Sequence, residues 1–452
     1  MNHSTSPLSW RLLAPLMVLA LVLAGCAADD SDDSDDVDDV EVQTEDATQS
    51  DPAADDVAST PDAEAATEDV ASEDPSTAET EATEDAESEQ SIAAFESVRE
   101  AATYVTDESA PALAAGLGQA AGFDGVDSEG AALQEDLAAT LQGHVYLAAI
   151  TLEQLLKDRP DAFAAAAESL AENTERLAGL VGSVAPDQQE AFQSLWENHI
   201  DFFVAYTEGA KAGDQAAKDD ALAGLNQYRQ DAGAFFAEIT GGAIAAEDVT
   251  ASLEQHVNTV IATIDGFAAG DTGAFDQLKG AADHVVDNSA RALAGAIATA
   301  AGIDGVDTDG AALLTDISTT LQEHVYLASI ALEQLVVGDQ AAFEAAAATL
   351  DANSQQLADL VAAVAPDQRD AFLSLWRNHI GFFVDYTNGL LAGDEAATQG
   401  ALDNLAQYRQ DAGAFFADIT DGALSQDAVA GGLEGHVDTV ITAIDDVGSA
   451  LA

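Results

Sequence analysis

From about residue 92 to the C-terminus, apolar positions recur every three to four residues, and no sustained period-two alternation interrupts them. One set runs Phe192, Leu195, Trp196, Phe203 and Tyr206; a second runs Leu137, Leu141, Ala148 and Leu152; a third runs Leu253, Val260 and Ile264. Each traces one face of a helix. Stop signals divide the pattern. Ala212-Gly213-Asp214 and Val337-Gly338-Asp339 offer a glycine for the position after one helix and an aspartate to cap the next. Pro186 and Pro366 stand where a new helix begins. The pattern predicts helices over 92–121, 131–157, 161–183, 186–210, 215–240 and 246–268, and again 180 residues later.

The second set is a copy of the first. At an offset of 180 residues Phe95 falls on Phe275, Trp196 on Trp376 and Tyr206 on Tyr386, and QYRQDAGAFFAEIT (227–240) becomes QYRQDAGAFFADIT (407–420). The fold class expected is therefore all-α: a tandem duplication of a six-helix unit made of three αα-hairpins, with repeat 1 over 92–270 and repeat 2 over 271–452. The pattern leaves open whether the helix over 92–121 closes the first unit or is left from a lost preceding one.

The N-terminal part follows other rules. Arg11 precedes an apolar run from Leu12 to Ala24, too short to span a bilayer alone and built like a secretory signal. It ends in Leu23-Ala24-Gly25-Cys26, which resembles the bacterial lipobox, where the signal is cut before a cysteine that then carries acyl chains. Cys26 is the only cysteine of the chain, so no disulfide can form and an anchor is its simplest use. Residues 1–25 are read as the signal, and lipidation at Cys26 implies a protein held at the outer face of the cytoplasmic membrane. Residues 27–91 contain no Lys, Arg, His or aromatic residue, and with Cys26 form an expected disordered, acidic tether.

Charge narrows the partners. With 13 Lys and Arg against 83 Asp and Glu, the net charge is −70, which excludes phosphate-led nucleic-acid binding. Such a surface suits concentrated salt, where screening is short-ranged. No Ser-His-Asp spacing, Gly-rich phosphate loop or Cys-x-x-Cys occurs, so an enzyme is not expected. Asp124 to Gly130 and Asp304 to Gly310 look like calcium loops but lack the alternate-position spacing and the closing Glu. Asp127 and Asp307 are expected instead to cap the helices that follow.

The histidines carry the candidate chemistry. His144, His199 and His256 lie on the apolar faces of the second, fourth and sixth helices, and His324, His379 and His436 repeat them. Hairpin connections make alternate helices parallel, so one imidazole from each of three helices can converge at a common depth. Three imidazoles with an open fourth position suit Zn²⁺ and Cu²⁺. His284 offers a further nitrogen, though Tyr104 occupies its place in the first copy. No Met remains after the signal, which argues against Cu(I), and no Glu-x-x-His pair is present for a di-iron site. A bound copper or zinc ion is thus one reading. Purely structural core histidines, in a scaffold or protein-interaction lipoprotein, are the alternative; haem or another small ligand is a third use. Metal affinity is expected to fall as pH passes about 6, where free imidazoles protonate.

HVYLASIALEQL (324–335), LWRNHIGFFVDYT (375–387) and LEGHVDTVITAID (433–445) resemble a group of exported, all-helical bacterial lipoprotein modules, some labelled copper amine oxidase-like. The resemblance covers most of 131–452. It implies an all-helical exported module, not amine oxidation: a copper amine oxidase is a large β-rich enzyme with a Tyr-derived quinone inside an Asn-Tyr-Asp/Glu motif, and that motif does not occur here.

Overall fold

The computed structural model describes residues 75–451, with side chains from residue 89 onward. The signal, Cys26 and the tether up to residue 74 lie outside the described residues. Within them the fold is all-α, with no strand. In chain order the helices are α1 (Pro75–Tyr104), α2 (Ala110–Ala121), α3 (Glu129–Leu156), α4 (Pro160–Val184), α5 (Gln189–Ala212), α6 (Gln215–Ile239) and α7 (Ala246–Ala269). The second half contributes α8 (Ala274–His284), α9 (Arg291–Ala301), α10 (Asp309–Val336), α11 (Gln340–Val364), α12 (Arg369–Ala392), α13 (Glu395–Ile419) and α14 (Gln426–Leu451). No described helix is long and apolar enough to cross a membrane.

The ends follow local chemistry. Gly213 and Gly393 end their helices at φ 66° and 62°, and the carboxylates of Asp214 and Asp394 accept the first free N–H groups of α6 and α13. Three local features depart from expectation. Ser128 and Thr308, one residue beyond Asp127 and Asp307, cap α3 and α10, each hydroxyl accepting an N–H three residues on. The first helix starts at Pro75 rather than near 92, over an Ala- and Glu-rich stretch of high helix propensity. Third, α1 joins α2, and α8 joins α9, through single π-helical turns at Val105–Ser109 and Val285–Ala290, giving two continuous rods. Pro111 lacks an N–H and crowds the carbonyl four residues back, which explains the first bulge. Arg291 holds the matching place in the second rod, and nothing in the sequence marks the bulge there.

The two copies pair about a pseudo-twofold axis. Helices α3 and α10 pack side by side, and Tyr146 stacks on its own counterpart Tyr326 with ring centres 5.2 Å apart and planes 13° off parallel. Contacts across the axis are reciprocal: Gln154 donates to Glu333 at 3.1 Å, and Gln334 donates to Glu153 at 3.2 Å. The loops before α3 and α10 also exchange bonds, Gly130 N–H to the Asp304 carbonyl and Gly310 N–H to that of Asp124, both at 3.1 Å. A Cβ on Gly130 or Gly310 would come within 2.4 Å of backbone in the opposite loop, so only glycine allows this crossing.

The grouping in space is offset from the grouping in sequence by one rod. The rod α8–α9 follows α7 through a four-residue turn and stays beside it, packing on α7 and α3. The rod α1–α2 takes the equivalent place against α14 and α10, with no covalent link to them. Helix 92–121 therefore closes the second bundle, and one hydrophobic core runs through both, from Ala94 to Val447.

Candidate metal centre

Each triad arises because three parallel helices of one bundle turn their apolar faces to a shared axis. In the second bundle His324 of α10, His379 of α12 and His436 of α14 are all buried, and one ligating nitrogen from each lies within 4.8 Å of the others. Among the described residues this is the one group of three or more potential ligands that meets so closely. Nitrogens binding one tetrahedral ion at about 2.0–2.1 Å stand about 3.3 Å apart. Closing from 4.8 Å asks each ring to move by less than about 1 Å, within the reach of small rotamer adjustments.

The first bundle is arranged differently. His144 and His199 face each other with Nε2 atoms 3.3 Å apart, the edge of such a tetrahedron, while His256 stands against Phe203 with ring centres 6.2 Å apart. His199 Nδ1–H donates to the Trp196 carbonyl. That contact fixes the neutral tautomer, because a carbonyl can only accept, and leaves the Nε2 lone pair aimed at His144. In the free state His144 Nε2 must then donate, and its own Nδ1 has no partner.

Aromatic walls enclose both triads. Tyr228 stacks on His199 at 4.6 Å and Tyr408 on His379 at 4.7 Å, with Trp196 and Trp376 edge-on to the same rings at 4.5 Å. Burial alone makes protonation costly. It lowers His324 and His144 to about 3 and His436 and His256 to about 4, assisted at the first two by the neighbouring imidazole of His436 or His256 and at His256 by His284. His199 and His379 are held well below the ordinary histidine value, first by burial and then by the two other rings of their triads. Burial thus keeps all six rings neutral within the fold at pH values where a free imidazole is protonated. Buried nitrogens without a partner include His379 Nε2, both nitrogens of His436, and Nδ1 of His324 and His256. No carboxylate joins the group among the described residues, so the donor set is neutral, and an ion held there would take its fourth ligand from solvent or an added molecule.

His284 is committed elsewhere. Its Nε2 donates to the Ser252 carbonyl at 3.2 Å and its Nδ1 accepts from Asn288 at 3.1 Å. Tyr104 makes the matching bond in the other bundle, its hydroxyl donating to the Gly432 carbonyl at 3.0 Å. Both residues fasten a rod to its neighbour, and the geometry does not bring His284 into either triad.

Sequence reading passed over a second polar system. Glu153, Glu333, Gln154 and Gln334 are buried on the pseudo-twofold axis, with Lys157 2.7 Å from Glu153 and Arg159 3.0 Å from Glu333. Glu323, also buried, holds Lys279 at 3.0 Å and accepts the Tyr146 hydroxyl at 2.8 Å. The signal was there: Leu-Glu-Gln-Leu recurs inside otherwise apolar helices in both copies. Comparison of the chain with protein-family models, curated proteins and solved structures finds no match.

Proposed function

We propose that this chain is a non-catalytic, lipid-anchored protein of the cell envelope that holds a divalent copper or zinc ion through His324, His379 and His436, with His144, His199 and His256 as a second, looser site. The observation that carries this reading is the convergence of three buried imidazoles, whose nitrogens lie within 4.8 Å of one another, on one point of the second bundle. Their depressed basicity supports it, since ligating imidazoles must be neutral. The signal-like segment, the lipobox-like Leu23 to Cys26 and the resemblance to exported lipoprotein modules support the location.

The test uses the processed chain from residue 26, with Cys26→Ser so that no acyl group is present. After stripping with chelator and reloading, elemental analysis is expected to find at least one Zn or Cu per chain, and His379→Ala to lose the tighter site. A chain that takes up no metal, with His379→Ala equally stable, would overturn the proposal. It would favour the rival scaffold reading, to which the full aromatic enclosure of His379 lends support. The anchor is tested separately: Cys26→Ala in the native host should move the protein from the membrane fraction to the soluble one.

A further inference from the structure

The two bundles differ in one respect that the triads do not explain. The first contains an apolar cavity of about 500 Å³ between α3, α4, α7 and the rod α8–α9; the corresponding space in the second is about 90 Å³. A pair of substitutions between the copies accounts for the difference. In the second bundle Leu424 is buried and lies in a notch over Gly116, where an added Cβ would fall 2.2 Å from its Cγ. In the first bundle the same two positions are Ile244 and Ala296. The methyl of Ala296 fills the notch, Ile244 stays half-exposed at the rim, and the space beneath it stays open.

What lies in that space indicates what it takes. Its size falls within the range of pockets for small organic ligands. The walls are aliphatic, including Leu137, Leu141, Val285 and Leu293. His144, His256 and Trp196 also line it, all buried, and three of their polar atoms (Nδ1 of each imidazole and the indole N–H) have no hydrogen-bond partner in the protein. Buried polar atoms left unpaired are costly, so an occupant that satisfies them gains affinity. An indole N–H can only donate, which calls for an acceptor oxygen on the occupant. Charge narrows the class further. The one charged lining residue is Asp248, exposed at the mouth, and the chain carries a net −70, so an anion is repelled; no buried carboxylate is present to hold a cation.

From these observations we infer that the first bundle binds a small, neutral, mainly apolar molecule carrying a carbonyl or hydroxyl oxygen, with that oxygen accepting from the indole N–H of Trp196. The site shares His144 and His256 with the looser metal triad, so it is read in metal-free protein, and it belongs to one copy only. The exchange at 116/296 and 244/424 is what distinguishes the open chamber from the closed one.

Equilibrium dialysis of the metal-free processed chain against 2-undecanone, with decanoate as the anionic control, tests this. One saturable ketone site per chain is expected, with decanoate at least tenfold weaker. Ile244→Leu with Ala296→Gly installs the plug of the second bundle and should weaken ketone binding at least tenfold. The converse pair, Gly116→Ala with Leu424→Ile, should raise the stoichiometry toward two. Leu137→Phe fills the cavity by another route and serves if the first pair does not fold. Absence of saturable binding, equal binding of decanoate, or binding that survives a folded plugged variant would overturn the inference.

Discussion

Tyr146 lies face to face with Tyr326, the residue that occupies its own position in the second copy, and the two rings mark the pseudo-twofold axis of the molecule. Their hydroxyls are not equivalent. That of Tyr146 donates to the buried carboxylate of Glu323, whereas the matching place beside Tyr326 is held by Gly143. Tyr146→Phe should therefore cost about 1–3 kcal/mol by leaving a buried carboxylate short of a donor, and Tyr326→Phe less than about 1 kcal/mol. Urea unfolding of the two variants side by side measures the difference; equal losses would mean that the Glu323 bond contributes nothing.

The two triads should not bind metal equally. In the second bundle all three nitrogens already approach one point, while in the first His256 stands apart and the other two rings bond to each other. Competition titration with a chromophoric zinc chelator is expected to resolve two affinities at least tenfold apart. His436→Ala should remove the tighter and His256→Ala the weaker.

Acid stability follows from the same burial. An unfolded histidine takes up a proton near pH 6.5, but His144 and His324 in the folded chain do so only at about 3, and His256 and His436 at about 4. Between about pH 6.5 and 4 the unfolded state therefore binds more protons, and these groups make stability fall as pH falls. Glu135 acts oppositely. Burial raises its carboxyl to about 7, so its contribution is present at low pH and lost as pH rises from 4.5 through 7. The histidine part is isolated by difference: in metal-free protein, His324→Gln should lessen the slope of unfolding free energy between pH 6 and 4.5 by about 1.4 kcal/mol per pH unit. An unchanged slope would place the ring in water.

With a net charge of −70, self-repulsion opposes compactness in dilute salt. The cations present are mostly spent in surface pairs such as Arg377 with Asp351 and Arg409 with Glu434, which offset little of it. The thermal midpoint of the processed chain should rise by roughly 5 °C or more between about 0.1 and 2 M NaCl as screening shortens. A flat midpoint would count against a salt-adapted surface.

The sequence by itself determined the helices and, through them, the inward direction of the six histidines. A 3.6-residue apolar period, Gly-Asp stops and an exact-length repeat are local signals, and every helix but the first, which begins already at Pro75, starts within a few residues of where they put it. It did not determine which helix lies beside which. The rod at 92–121 packs against α14 because its apolar face meets a matching one there, a choice made by noncovalent contact between segments more than three hundred residues apart. The same holds for the seam of Glu153, Glu333 and Glu323, for the engagement of His284 with Ser252, and for the cavity opened by Ala296 and Ile244. Those depend on side chains from distant segments meeting in three dimensions, and a period along one helix carries no record of its partner across the axis.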